Sequence, residues 1–140
     1  MEILAGEAGM ASGGLAVGTG TVLALPAPRQ IAARWGSGLY RETAHTGAGL
    51  ISNITHVFTR HRYNPAVTGV SQFVQGTTRS QIKSLVDHAL RYGNVTANGQ
   101  NGWSVTYNFG RVIGTNISGG PASSIQIYVR DGLVRTAYPF

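Results

Sequence analysis

SSIQIYVRDGLVRTAYPF, residues 123–140, sets a DG pair between two runs of alternating residues. An Asp-Gly step takes two positive φ values at little steric cost, which is what a two-residue hairpin turn needs. A turn at Asp131-Gly132 pairs Val129 with Val134, Ile127 with Thr136 and Ile125 with Tyr138. In that register Thr136 and Tyr138 share the face of Ile125 and Ile127, at the edge of an apolar surface.

Upstream, WSVTYNFG (103–110) alternates, with Trp103, Val105, Tyr107 and Phe109 on one side, so a further strand is expected there. NVTANGQNG (94–102) reads as turn chemistry, GRVIGTN (110–116) as a short strand and NISGGPAS (116–123) as a loop. Before them lies the clearest helix, TTRSQIKSLVDHALRYG (77–93). Thr78 and Gln81 fit a capping box. Ile82, Leu85, Val86, Ala89 and Leu90 form one helical stripe, and Lys83, Asp87 and Arg91 share another face at four-residue spacing. Gly93 stands where a left-handed C-terminal residue belongs. Residues 29–53 are mixed, and their first half reads as a short helix. Helices first and sheet after give an α+β domain, with N-terminal helices packed on a C-terminal antiparallel β-sheet.

That domain is expected over residues 29–140, behind a flexible apolar leader at 1–28. AGMASGGLAVGTGTVLALPAP (8–28) is uncharged and long enough on paper to cross a bilayer. Glycines and prolines interrupt it, and Glu2 and Glu7 precede it where a signal peptide carries positive charge, so no stable membrane insertion is expected. The chain has no cysteine, which removes disulfides, thiolate catalysis and cysteine-ligated zinc. At 42% hydrophobic content it can build a core.

The net charge of +6 is unevenly spread. Up to residue 50, Arg29, Arg34 and Arg41 balance Glu2, Glu7 and Glu42; beyond it eight Lys and Arg face only Asp87 and Asp131. A basic module of this kind suits a polyanionic partner, nucleic acid above all. Two carboxylates 44 positions apart, one of them in the DG turn, make a poor magnesium site and a poor glycosidase acid pair. No metal and no cofactor are expected to take part.

The basic residues concentrate in ITHVFTRHRYN (54–64), where His56, Arg60, His61 and Arg62 stand together without an acid. RNA carries its own nucleophile, the 2′-hydroxyl. Cleaving it takes a base, an acid for the departing 5′ oxygen, and cations or donors for the phosphorane charge. Histidine supplies the first two near neutral pH, and arginine binds phosphate in bidentate fashion. A basic surface turn is the alternative reading. The two histidines are five apart with no glutamate between them, unlike a zinc HExxH motif, and a helix would turn their rings about 140° from each other. GRVIGTN lacks the GK[ST] ending of a phosphate loop, and Ser123 and Ser124 lack an acidic partner and a nucleophile elbow. In the closing strand Thr136 and Tyr138 offer a hydroxyl and a phenol two residues apart, though both are also ordinary strand residues.

HVFTRH (56–61), SQF (71–73), the amphipathic helix and TAYP (136–139) resemble, in this order, the RNase A-like ribonuclease domains at the C-termini of bacterial contact-dependent inhibition and other polymorphic toxins. The resemblance spans roughly residues 50–140. It implies catalytic roles for His61, Thr136 and Tyr138; His56, the other histidine of the pair, is a further catalytic candidate from its chemistry. The group also uses an arginine between the histidine and the Ser-x-Phe. Here RYNPAVTGV has only Arg62, outside the usual position, and Arg62, Lys83 or Arg111 are the replacements on offer, with Arg60 as a further substrate contact. The barnase–EndoU–colicin–RelE superfamily is similar too, and GRVIGTN followed by SSIQIYV suits its layout equally well. Both resemblances imply metal-independent cleavage of RNA, with transfer RNA the expected substrate, to a 2′,3′-cyclic phosphate and a 5′-hydroxyl. They also imply an acidic cognate immunity protein. Delivery would be from the cell surface or by secretion within a larger protein, and action in the target-cell cytoplasm. A non-catalytic RNA- or DNA-binding module, with Trp103, Tyr107 and Tyr128 stacking on bases, is the alternative function, and a membrane-active leader a third.

Overall fold

Thr78 starts the central helix as the sequence pattern requires. Its hydroxyl accepts from the Gln81 amide at 3.1 Å while the Gln81 side chain accepts from the Thr78 amide at 2.8 Å, so two otherwise orphan donors are satisfied. Ile82, Val86, Ala89 and Leu90 are buried along one stripe. The computed structural model describes residues 27–37 and 53–140, together with the backbone of short strands at 14–17, 20–23, 40–41 and 50–51.

In chain order the elements are β1 (Gly14–Val17), β2 (Gly20–Leu23), β3 (Arg34–Trp35), β4 (Tyr40–Arg41), β5 (Leu50–Ile51), α1 (Asn53–His61), β6 (Gln72–Phe73) and α2 (Arg79–Tyr92). There follow β7 (Asn94–Ala97), β8 (Gly102–Asn108), β9 (Gly114–Thr115), β10 (Pro121–Ala122), β11 (Ser124–Arg130) and β12 (Leu133–Pro139). The main sheet runs β3-β12-β11-β8-β7, and a smaller one runs β10-β9-β6. The architecture is α+β. The main sheet is mixed, because β3 joins β12 in parallel, and strands precede as well as follow the helices. Within the stretch read as a leader, β1 and β2 pair as an antiparallel hairpin; the rest of residues 1–26 lies outside the described residues. Among the described residues no helix is long and apolar enough to cross a membrane.

α1 and α2 cover one face of the main sheet. Val57, Ile82, Val86 and Leu90 meet Val105, Ile125, Ile127 and Ala137 in a single core. Its extent gives the sheet register a clear energetic preference, since a one-residue slip would turn each apolar side chain outward.

The DG turn forms with positive φ at both Asp131 and Gly132, and Val129 pairs with Val134. Beyond that pair the expected register does not continue. Arg135 is an extra residue, a β-bulge, and Tyr128 pairs with Thr136, Ile127 with Ala137 and Gln126 with Tyr138. Thr136 and Tyr138 therefore lie on the face opposite Ile125 and Ile127, and Ala137 and Pro139 take the buried positions.

Three further expectations change. Residues 29–37 contain no helix: the Gln30 amide donates to Leu90 O and the Arg34 amide to Gly132 O, so this segment straps α2 to the sheet instead of bonding to itself. Asp87 secures the strap by accepting from Arg29 and Arg91, both at 2.9 Å, while Lys83 makes no ion pair with it. Residues 94–97 form β7, with β-branched Val95 and Thr96 opposite Val105 and Ser104; only the residues after them turn. Gly93 is extended, with φ −80°, so no left-handed cap is present. Glycine is needed there for room: a Cβ would come within 2.5 Å of Ala89 O and 2.7 Å of Thr106 O.

Candidate active site

Ile54, Val57, Phe58 and His61 follow the i, i+3, i+4, i+7 spacing of α1. His61 thus occupies the last position of an otherwise apolar stripe, and it is only 8% exposed. A buried imidazole needs a partner. Ser71 supplies it, its carbonyl oxygen 2.8 Å from His61 Nδ1 and its hydroxyl 3.3 Å away. A carbonyl can only accept, so Nδ1 carries the proton of the neutral ring and Nε2 is the basic nitrogen.

The SQF motif explains how Ser71 arrives there. Phe73 is anchored in the core at 1% exposure. The Gln72 side chain accepts from the Asn64 amide at 3.0 Å and donates to Asn64 O at 2.9 Å, closing the loop that follows α1. That clamp returns the chain to the imidazole ten residues after it left.

The bulge brings the other half. Tyr138 stacks on His61 with ring centroids 5.5 Å apart and planes 26° from parallel. Tyr128 lies 6.3 Å from Tyr138 and pairs across the ladder with Thr136. Burial, then a hydrogen bond shared with Tyr128 and the charge of that phenol, push the Tyr138 hydroxyl up to about 12. At neutral pH Tyr138 is a neutral hydrogen-bond donor. The surrounding face is polar and half-buried, with Gln126 donating to Ser104 Oγ at 2.6 Å.

His61 and Tyr138 thus meet from positions far apart in sequence, and Thr136 lies two residues from Tyr138 on the same face of β12. His56 is on another side of α1, half-buried; burial, and secondarily the Arg60 charge, hold its pKa below the ordinary histidine value. Arg60 is exposed on that same helix. Arg62 follows directly on His61 and lines a neighbouring cleft. Lys83 is exposed on α2. Arg111 belongs to a different cluster, 5.8 Å above the Phe109 ring and near His88, whose rings contact Tyr92, Tyr107 and Phe109. Burial, and secondarily the Arg111 charge, hold His88 below its usual pKa against the opposing pull of Asp87.

Arg135 carries no mark in the sequence that sets it apart. As the bulge residue, it and Thr136 together oppose Tyr128, which sets a guanidinium stem beside the threonine. Asp131 approaches that guanidinium at 3.7 Å. No local pattern marks the bulge; only the run of buried Val134, Ala137 and Pro139 betrays a break in alternation.

No family model, no curated protein and no solved structure matches the chain.

Proposed function

We propose that this domain is a metal-independent endoribonuclease toxin, of the RNase A-like or barnase–EndoU–colicin–RelE kind, that cleaves RNA through attack of the 2′-hydroxyl. The observation that carries the reading is the stacked His61–Tyr138 pair, with Ser71 O holding the imidazole tautomer. In the reaction His61 Nε2 takes the proton of the 2′-hydroxyl, whose oxygen attacks phosphorus. The bond from phosphorus to the 5′ oxygen breaks, leaving a 2′,3′-cyclic phosphate. Tyr138, protonated at neutral pH, passes its proton to the departing oxygen, and the proton on His61 restores the phenol in the resting site. Thr136 donates to a non-bridging oxygen, and Arg135 supplies the cation that the resemblance left without a position.

Transfer RNA is the proposed substrate, growth inhibition of competing bacteria the proposed outcome, and an acidic immunity protein the proposed partner for the basic face. Delivery within a larger secreted or surface protein, and action in the cytoplasm of the target cell, complete the proposal. The test is incubation of the domain with total RNA in EDTA beside His61→Ala. Fragments with cyclic phosphate ends, absent from the variant, are expected. Intact RNA with a gel shift would leave the second reading, a basic RNA- or DNA-binding module. That reading has its own support in exposed Trp103 and Tyr63 and in Arg62 and Lys83, neither of which meets an acid among the described residues.

A further inference from the structure

Where α1 ends, the surface opens into a cleft of about 620 Å³ between the end of that helix and the start of α2. Phe58, Arg62, Tyr63, Thr77, Thr78 and Arg79 line it. Among the described residues no carboxylate is in its wall: Asp87 and Asp131, the acids from residue 53 onward, are engaged with Arg29, Arg91 and Arg135. Arg79 lies over the Phe58 ring, 4.3 Å from its centroid, a contact that holds the guanidinium in place without neutralising it. Tyr63 is 42% exposed, a large aromatic left at the rim. The capping box takes up the Thr78 and Gln81 amides at the start of α2, and the formal charge of the cleft is that of the two guanidinium groups.

Two fixed cations beside an exposed aromatic ring form the pattern that binds one nucleotide of a single strand, phosphate on arginine and base on the ring. Position matters as much as composition. Arg62 adjoins His61, and consecutive Cα atoms are about 3.8 Å apart, so the cleft begins one residue from the imidazole. Phe58, on its floor, shares the α1 stripe with His61. We infer that the cleft is a subsite for a nucleotide flanking the scissile phosphate of single-stranded RNA. Arg62 and Arg79 bind that nucleotide's phosphate and Tyr63 stacks on its base. The inference rests on the ribonuclease reading for the identity of the strand.

Binding can be measured apart from cleavage with a short fluorescent 2′-O-methyl oligonucleotide, which lacks the attacking hydroxyl. Anisotropy titrations of the full chain over a range of salt are expected to show Arg62→Ala and Arg79→Ala binding more weakly, each with the slope of log K against log salt shallower by about 0.7. Arg79→Lys keeps the wild-type slope, which separates lost charge from lost support of Phe58. Tyr63→Ala weakens binding by about 5- to 150-fold at unchanged slope, and Tyr63→Phe restores it. Wild-type affinity and slope in Arg62→Ala and Tyr63→Ala would overturn the subsite, as would a duplex bound equally well with no effect of Tyr63. The two readings fail separately. RNA cleaved normally by variants with unaltered oligonucleotide binding removes the subsite and spares the ribonuclease. Oligonucleotide binding that depends on these residues, in a protein that cleaves no RNA, upholds the subsite and removes the ribonuclease.

Discussion

Deleting Arg135 should leave the sheet in register. Val134 faces the core; with the bulge residue gone, Thr136 follows it outward, Ala137 returns inward and Tyr138 outward, as they do now. Among the contacts the deletion removes is Arg135–Asp131, 3.7 Å long between side chains 33% and 57% exposed, itself worth about 0–1 kcal/mol. Deleting Ala137 two residues later has the opposite geometric effect. The bulge remains, Tyr138 moves into the position of Ala137 against the helices, and Pro139 turns outward. A phenol in a space that held a methyl group overpacks the core by about 1–3 kcal/mol. Its unmatched hydroxyl adds about 1–3 kcal/mol, for about 2–6 kcal/mol together. Against a total stability of about 5–15 kcal/mol, that leaves the second variant marginal or unfolded. Urea unfolding followed by circular dichroism measures both through the midpoint, provided the slope is constant. Equal losses from the two deletions would refute the register argument. RNA cleavage by the Arg135 deletion is expected to fall about 10²- to 10³-fold with the fold intact, the effect of removing one transition-state contact.

Other perturbations test the site and its frame. His61→Ala should abolish RNA cleavage while oligonucleotide binding stays within a few fold, and equal turnover by the variant would remove His61 from the chemistry. Tyr138 keeps its proton to about pH 12 when folded, whereas an unfolded phenol loses it near 10, so the unfolded chain binds fewer protons between those values. The contribution to stability is complete below about pH 10 and is lost as pH rises toward 12, and Tyr138→Phe should flatten alkaline denaturation in that window. For Asp87 burial pulls the pKa up, but hydrogen bonds from Arg91 and Arg29 and their charges outweigh it and lower it. Its stabilisation is present above the unfolded value and disappears as pH falls through the folded one, so Asp87→Asn should flatten the acid limb of the stability profile. Gly93→Ala should lose about 1–3 kcal/mol in denaturant titration, because the new Cβ meets two backbone carbonyls that cannot swing aside.

What could be read from sequence was what local physics decides. The capping box at Thr78, the stripe from Ile82 to Leu90 and the turn at Asp131-Gly132 depend on near neighbours, and all three are present in the fold. Longer-range competition decided the rest. The segment around Gln30 found acceptors on Leu90 and Gly132, so it did not become a helix. Gly93 has the sequence position of a conformational cap, but its constraint is room between the carbonyls of Ala89 and Thr106, the latter on a strand that no pattern within the helix reveals. The bulge is the most consequential case. Period-two alternation placed Thr136 and Tyr138 toward the core, and one extra residue turned both to the polar face beside His61. His61 stands out in the sequence for its chemistry, while the partner that fixes its tautomer, a backbone carbonyl at Ser71, has no side-chain signature in any sequence.

The pairing of His61 with Tyr138 also ties competence to the folding of the whole chain. The two are separated by 77 positions (138 − 61), which in a fully extended chain is a gap of roughly 250 Å. In the folded domain the rings are 5.5 Å apart. Every element that closes that gap, from the Gln72 clamp to the last hairpin, must be in place before the two rings can meet. On the proposed toxin reading, a chain drawn out for passage through a narrow conduit would carry both groups and none of the chemistry. The activity proposed for it would return only after refolding on the far side.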